Sequence, residues 1–150
     1  MGRIGKMIGI FVAVATVMAV APAWAQVRDA VYRGTMVCDQ LPFSVGKSRG
    51  AIEVTISGGA VHYSHVVRLR DAAEATPEQG TGTLNSDSIS LQGSWKVANR
   101  QYEAKYSGTF VRRHVDLKGA QTWNDSGKTI TRACSGTIKR PFKIFLPRDR

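Results

Sequence analysis

Residues 51–68 read AIEVTISGGAVHYSHVVR, and this stretch decides the fold. On either side of Gly58-Gly59, apolar residues alternate with polar ones, which is the period-2 pattern of a half-buried β-strand. Glycine adopts positive φ angles at little cost, so a two-residue glycine loop suits a tight hairpin. That loop sets a register in which Ile56 faces Val61, and both strands then turn their apolar residues to the same side. The segment therefore predicts a β-hairpin with strands at 51–57 and 60–68.

The same alternation continues along the chain on both sides of this hairpin. It predicts eight strands, at 31–38, 51–57, 60–68, 80–85, 88–95, 101–110, 114–123 and 129–138. Most connections are short, which is typical of an antiparallel meander, and residues 71–79 are predicted to form an exposed loop. Because the number of strands is even, the first and the last run antiparallel and can pair. We therefore expect an all-β fold, an eight-stranded up-and-down meander closed as a small barrel, with a two-sheet β-sandwich as the alternative.

A short motif, Gly-Thr followed by an apolar residue, recurs in four of the predicted strands, at Gly34, Gly82, Gly108 and Gly136. Glycine inside a strand usually marks a bend or a crowded neighbour. Its recurrence on one face predicts a sheet that coils tightly, as a small barrel does.

The first 25 residues have the features of a secretory signal peptide. Arg3 and Lys6 precede a short apolar run at 7–20, and Ala23-Trp24-Ala25 follows as an A-x-A cleavage motif. We expect cleavage before Gln26, a periplasmic or secreted protein, and one mature domain at 26–150 without a transmembrane helix. The alternative is an uncleaved membrane anchor.

Export also bears on the two cysteines. Cys38 and Cys134 are the only cysteines of the chain, and an oxidising compartment allows them to form a disulfide. Both are predicted on the inner side of the first and last strands, so the bond would fasten the closing seam. Two separately buried free thiols are the alternative.

Alternation also places polar residues where apolar ones are expected inside the barrel. A four-residue turn at 124–127 would put Gly119 opposite Arg132, and a second such turn at 111–114 would put Tyr106 on the other side of that glycine, so that the guanidinium could lie against the tyrosine ring. An eight-stranded barrel can hold one small molecule, and an inward arginine favours a carboxylate or a phosphate. The alternative is that the arginine lies near the barrel mouth and extends to water. The candidate ligand-binding residues are Arg132, Gln121, Tyr106 and His65.

The second half of the chain carries most of the positive charge. The net charge is −1 over residues 26–95 and +9 over residues 96–150, and the chain ends in a basic tail at 139–150. This tail could bind an anionic envelope surface or an acidic partner, or it could pack its aromatic residues on the barrel. No aromatic and basic residues interleave across a sheet face, so nucleic acid is not an expected partner. The candidate contact residues are Lys139, Arg140, Lys143 and Arg148.

Motifs for catalysis or metal binding are weak. Gly46-Lys47-Ser48 resembles the end of a P-loop, but Leu41 stands where the first glycine belongs. His62 and His65 point to opposite faces of a strand, so they cannot converge on a metal ion. We therefore expect no catalytic residue, no metal and no cofactor.

Several longer motifs resemble a group of small exported bacterial β-rich proteins. They are Tyr32-Arg33-Gly34-Thr35-Met36-Val37-Cys38, Leu41-Pro42-Phe43, Leu117-x-Gly119-x-Gln121-x-Trp123 and Arg132-Ala133-Cys134. The resemblance implies an exported β-rich protein and brings no activity with it. Short Gly-Thr and Gln-x-Trp segments are also similar to those of avidin-like and lipocalin-like barrels.

These features predict an exported, non-catalytic binding protein. Its ligand would be a small anion in or at the mouth of the barrel. The alternative is an envelope-surface or protein-inhibitor module that acts through its loops and its basic tail.

Overall fold

The computed structural model of the protein describes residues 29–42, 44, 46–67 and 76–141. Within these residues the chain forms eight strands, and each pairs antiparallel with the next in sequence. β8 pairs antiparallel with β1, so the sheet closes and the predicted up-and-down barrel is confirmed in preference to a sandwich. The strands are β1 Ala30–Cys38, β2 Ser48–Ser57, β3 Ala60–Val67, β4 Thr76–Asn85, β5 Ser88–Val97, β6 Arg100–Val111, β7 His114–Asp125 and β8 Lys128–Lys139.

The described residues contain no helix that is long and apolar enough to cross a membrane. The predicted signal peptide, 1–25, lies outside the described residues.

The barrel has two ends, which differ in their connections. The odd-numbered strands end, and the even-numbered strands begin, at what we call the long-loop end, because the connections 39–47 and 68–75 join strands there. The opposite end, which we call the short-turn end, joins its strands by the two-residue turns Gly58-Gly59, Ser86-Asp87 and Arg112-Arg113.

Alternating side chains fill the barrel from end to end. Towards the short-turn end the interior is apolar and includes Val61, Leu117 and Ile138, each no more than 2% exposed. Towards the long-loop end it contains the four buried polar residues and the rings of Trp95, Tyr102 and Trp123. The candidate site lies in this second half.

The fourth strand starts earlier than the sequence predicts. β4 begins at Thr76, so the end of the predicted exposed loop at 71–79 is strand, and Glu78 within it is fully buried. A proline and a charged residue at 77 and 78 are typical of a loop. Here the carboxylate is buried because several donors in the interior compensate for its loss of water.

The register between β7 and β8 also differs from the prediction. The turn is Ser126-Gly127, closed by Asp125 opposite Lys128, and not a turn at 124–127. Arg132 therefore lies opposite Gln121 and not opposite Gly119. The error is two residues, and such a shift leaves every side chain on its predicted face.

The disulfide is formed as predicted. Cys38 and Cys134 are direct partners across the ladder between β1 and β8, with 4.0 Å between their Cα atoms. Both are buried on the inner side, so the bond fastens the closing seam from within.

Candidate functional site

The predicted inner residues come together around a carboxylate that the sequence analysis did not single out. Tyr102 Oη donates a hydrogen bond to Glu78 Oε2 at 2.5 Å, and Tyr63 Oη donates to Oε1 at 2.6 Å. Three further groups approach Oε2: Gln121 Nε2 at 3.0 Å, Tyr106 Oη at 3.1 Å and His65 Nδ1 at 3.1 Å. We call Glu78 and these five residues the Glu78 cluster.

The protonation states of the cluster follow from its hydrogen bonds. Burial by itself would raise the pKa of Glu78, but hydrogen bonds from His65, Tyr102 and Tyr63 outweigh it and hold the pKa below its ordinary value of 4.5. An ionised carboxylate only accepts hydrogen bonds, so we infer that Nδ1 of His65 carries a proton. Burial, followed by the charge of Glu78, raises the pKa of each of the three tyrosines. The tyrosines therefore remain hydroxyl donors at neutral pH.

Two glycines make room for one of these donors. Gly80 and Gly93 are direct partners between β4 and β5, and Tyr63 lies across from Gly80 on β3. A Cβ at Gly93 would collide with Tyr63 Oη, and a Cβ at Gly80 would collide with the tyrosine ring. Glycine at both positions therefore leaves room for the ring to lie along the inner wall of the barrel with its hydroxyl at Glu78.

Arg132 joins the cluster through the side-chain amide of Gln121. Its Nε donates to Gln121 Oε1 at 2.8 Å, and its guanidinium carbon lies 5.2 Å from the ring centre of Trp123. The predicted stacking of Arg132 on Tyr106 is wrong, because the register places the arginine beside Gln121 and Trp123 instead. The arginine is only 5% exposed, so the alternative in which it extends to water is wrong as well.

The first connection covers the long-loop end above Arg132. Leu41 is buried in the core, and the backbone N–H of Asp39 donates to the carbonyl of Ala133 at 2.9 Å. The carbonyl of Asp39 accepts from Arg132 Nη1 at 3.3 Å. One end of the guanidinium thus bonds to the protein's own backbone.

An aromatic group lies beside the Glu78 cluster. The ring of Tyr102 stacks on Trp95 with 5.5 Å between centroids, and Trp123 lies 4.5 Å from Tyr102. Among the described residues, Trp95 Nε1 is the one buried side-chain nitrogen or oxygen atom without a hydrogen-bond partner.

A second candidate site lies on the outer wall. A groove of about 740 Å³ follows the closing ladder between β8 and β1, and we call it the seam groove. Its basic residues stand on four consecutive strands around the barrel: Lys118 on β7, Lys139 on β8, Arg33 on β1 and Arg49 on β2.

The charges of the seam groove are only partly compensated. Arg33 Nε pairs with Glu53 at 2.6 Å. Asp116 is the one acidic residue that lines the groove, and it accepts a hydrogen bond from Thr137 Oγ1 at 2.6 Å. Among the described residues, no acid pairs with the other three cations, Arg49, Lys118 and Lys139.

The predicted contact residues of the basic tail are only partly described. Lys139 is exposed and lines the seam groove. Arg140 follows it, and its backbone N–H donates to the carbonyl of Arg113 at 2.9 Å at the short-turn end. Lys143 and Arg148 lie outside the described residues.

Sequence reasoning missed Glu78 and three of the four groove cations. The signal for Glu78 was present, because period-2 counting back from Gly80 places residue 78 on the inner face. Arg33, Arg49 and Lys118 are far apart in sequence, and only the closed barrel shows that their strands are neighbours.

No group of three His, Cys, Asp or Glu side chains in the described part of the chain could hold a metal ion. Comparison with known proteins gives no matching family model and no matching curated protein.

Proposed function

We propose that the protein is a non-catalytic binding module that holds an anionic partner on its outer wall, in the seam groove. The observation that carries the proposal is the set of four cations on four consecutive strands, three of which have no acidic partner among the described residues. Exposed cations that are not neutralised within the protein attract anions and speed their association.

The candidate residues inside the barrel already have hydrogen-bond partners, which supports a binding site on the outer wall instead. The four candidate ligand-binding residues bond to Glu78, to one another or to the backbone. The carboxylate of Glu78 occupies the place that an anionic ligand would take. A second anion beside it would be repelled, because like charges in a buried site disfavour each other.

The proposed location of the protein outside the cytoplasm is consistent with an anionic partner. A disulfide and the lack of a membrane-crossing helix among the described residues are compatible with an extracellular or periplasmic protein. We further propose that residues 1–25 direct export, so that the anionic partner belongs to the cell envelope or its surroundings.

Neutralising the groove tests the proposal. The triple variant Arg49→Gln, Lys118→Gln, Lys139→Gln should raise the Kd for a polyanion such as dextran sulfate by about fifty- to a hundred-fold, because each of the three lost contacts is worth somewhat under 1 kcal/mol. Isothermal titration calorimetry at low salt measures the change, and added salt should weaken binding by the wild type.

The control is a triple variant that removes the same charge elsewhere: Lys96→Gln, Arg112→Gln, Lys128→Gln. These three residues are exposed and lie outside the groove. The proposal fails if the two triple variants lose affinity equally, or if wild-type binding is absent or insensitive to salt.

A second candidate function is the binding of a small uncharged molecule with a hydrogen-bond acceptor at the long-loop end. The unpartnered Trp95 Nε1 favours it, because a buried donor without an acceptor costs free energy, and a ligand that supplies the acceptor would remove that cost. Native mass spectrometry of the purified protein should then show a bound small molecule that the variant Trp95→Phe lacks. Bare protein in both samples would remove this candidate.

A further inference from the structure

A second groove on the outer wall adjoins the seam groove. It has a volume of about 410 Å³, runs over β4 to β7 and contains two lysines, Lys105 and Lys118. Lys118 lines the seam groove as well, so the two depressions meet at this residue. The other side chains of the second groove that can form hydrogen bonds on the outer wall are those of Thr81, Thr83, Ser90, Gln92 and Ser107.

Together the two grooves form a path across the strands, which we call the belt. It extends from β4 around the wall to β2 and crosses the disulfide-closed seam. Lys105 on β6 and Arg49 on β2 are four strand spacings apart, which amounts to about 19 Å measured along the curved wall of the barrel. One small anion cannot contact both ends of a path of this length.

The chemistry along the belt combines charge with neutral polar groups. The hydroxyls of Thr35, Ser135 and Thr137 stand among the cations of the seam groove, and Ser107 stands beside Lys118. The threonines, Ser90 and Gln92 on β4 and β5 continue the belt beyond Lys105 with neutral polar groups. Spaced cations suit a chain that carries one negative charge per unit. The hydroxyls and the amide can bond to uncharged hydroxyl groups of the same chain.

We propose that the partner is a linear acidic polysaccharide that lies across the strands in the belt, an inference that rests on the proposed function and names its ligand class. Two other polyanions fit the surface less well. Every tyrosine and tryptophan of the described residues is at most 4% exposed, and the half-buried Phe110 lies outside both grooves, so the belt offers no stacking platform for nucleotide bases. Among the same residues, Val111 is the one exposed large hydrophobic residue, so this surface has little apolar area to insert into a lipid bilayer.

Oligomers of one acidic polysaccharide, such as galacturonate chains of two to ten units, test the belt. The affinity, measured by calorimetry as Kd for a complex with one protein per chain, should rise with length until the belt is filled. Lys105→Gln should weaken binding of the ten-unit chain by about five-fold and leave the two-unit chain unchanged, because Lys105 lies outside the seam groove. Lys96→Gln is the matched control and should change neither.

The outcomes separate the inference from the proposed function. If the seam-groove triple variant loses binding while Lys105→Gln has no effect at any length, the belt is wrong and the proposed function stands. If neither variant changes binding, both are wrong. Single-stranded DNA or anionic phospholipid vesicles that bind as tightly as the ten-unit chain would overturn the choice of a polysaccharide.

Discussion

The carboxylate of Glu78 is fully buried, and five side chains lie within hydrogen-bond distance of it. Glu78→Gln removes the charge and places an amide N–H₂ where tyrosine hydroxyls donate. We expect the free energy of unfolding to fall by about 2–4 kcal/mol, measured by urea denaturation. Glu53→Gln is the matched control, because its partner Arg33 is exposed, and it should cost less than about 1 kcal/mol. Equal losses would show that the charge of Glu78 adds no more to stability than an exposed ion pair does.

The lowered pKa of Glu78 predicts a particular dependence of stability on pH. A carboxylate whose pKa lies lower in the folded than in the unfolded state stabilises the fold fully above its unfolded value. That contribution is lost as the pH falls from about 4.5 through the folded pKa. Urea midpoints between pH 7 and pH 2.5 should therefore fall more steeply for the wild type than for Glu78→Gln. Parallel curves would contradict the lowered pKa.

A substitution at Gly93 tests whether the Tyr63 side chain needs the space that this glycine leaves. In Gly93→Ala the new Cβ collides with Tyr63 Oη, and such overpacking should cost about 1–3 kcal/mol of unfolding free energy. The cost should be smaller in a Tyr63→Phe background, where the hydroxyl is absent, and a double-mutant cycle measures the difference. Ser90→Ala, on the outer face of the same strand, is the control and should stay within about 0.5 kcal/mol. Additive effects of the two substitutions would contradict the collision.

At the scale of strands and turns, the sequence predicted most of the architecture. The alternation was sufficient for all eight strands and for the inner face, including Arg132 and Gln121. The residues opposite them across the ladder were not predicted. The chain at 124–128 can turn at either of two positions, and both leave the same side chains on the inner face. The start of β4 was missed because Glu78 is polar, and its burial depends on donors from other strands. A single sequence does not show which strands supply those donors.

The turn between β5 and β6 offers a way to raise stability. Ala98 has a φ of +52°, a conformation that costs a residue with a Cβ about 1 kcal/mol and that asparagine tolerates better. Ala98→Asn should raise the free energy of unfolding by about 0.5 kcal/mol, measured in urea. The same substitution at Ala51, an exposed position within β2, should lower it, because asparagine is disfavoured in strands. A loss of stability at Ala98 would argue against this turn conformation.

At the scale of the whole molecule, the disulfide joins residues that are 96 positions apart. A loop of this length is worth about 4–5 kcal/mol in the chain-entropy model. The double variant Cys38→Ala, Cys134→Ala should lose stability of this order and keep the circular-dichroism spectrum of a β protein, because the closing ladder retains its other residue pairs. An unchanged urea midpoint would show that the strands alone close the barrel with full stability.

The meander has a consequence for the order in which the molecule forms. Seven of the eight ladders between described strands join strands that are consecutive in the chain, and only the ladder between β8 and β1 does not. Hairpins can assemble one after another from local contacts, whereas Cys38 meets its partner only once the circle is complete. The rate at which free thiols disappear during oxidative refolding therefore measures how fast the barrel closes. The two thiols come together for oxidation only in a molecule that is already nearly native.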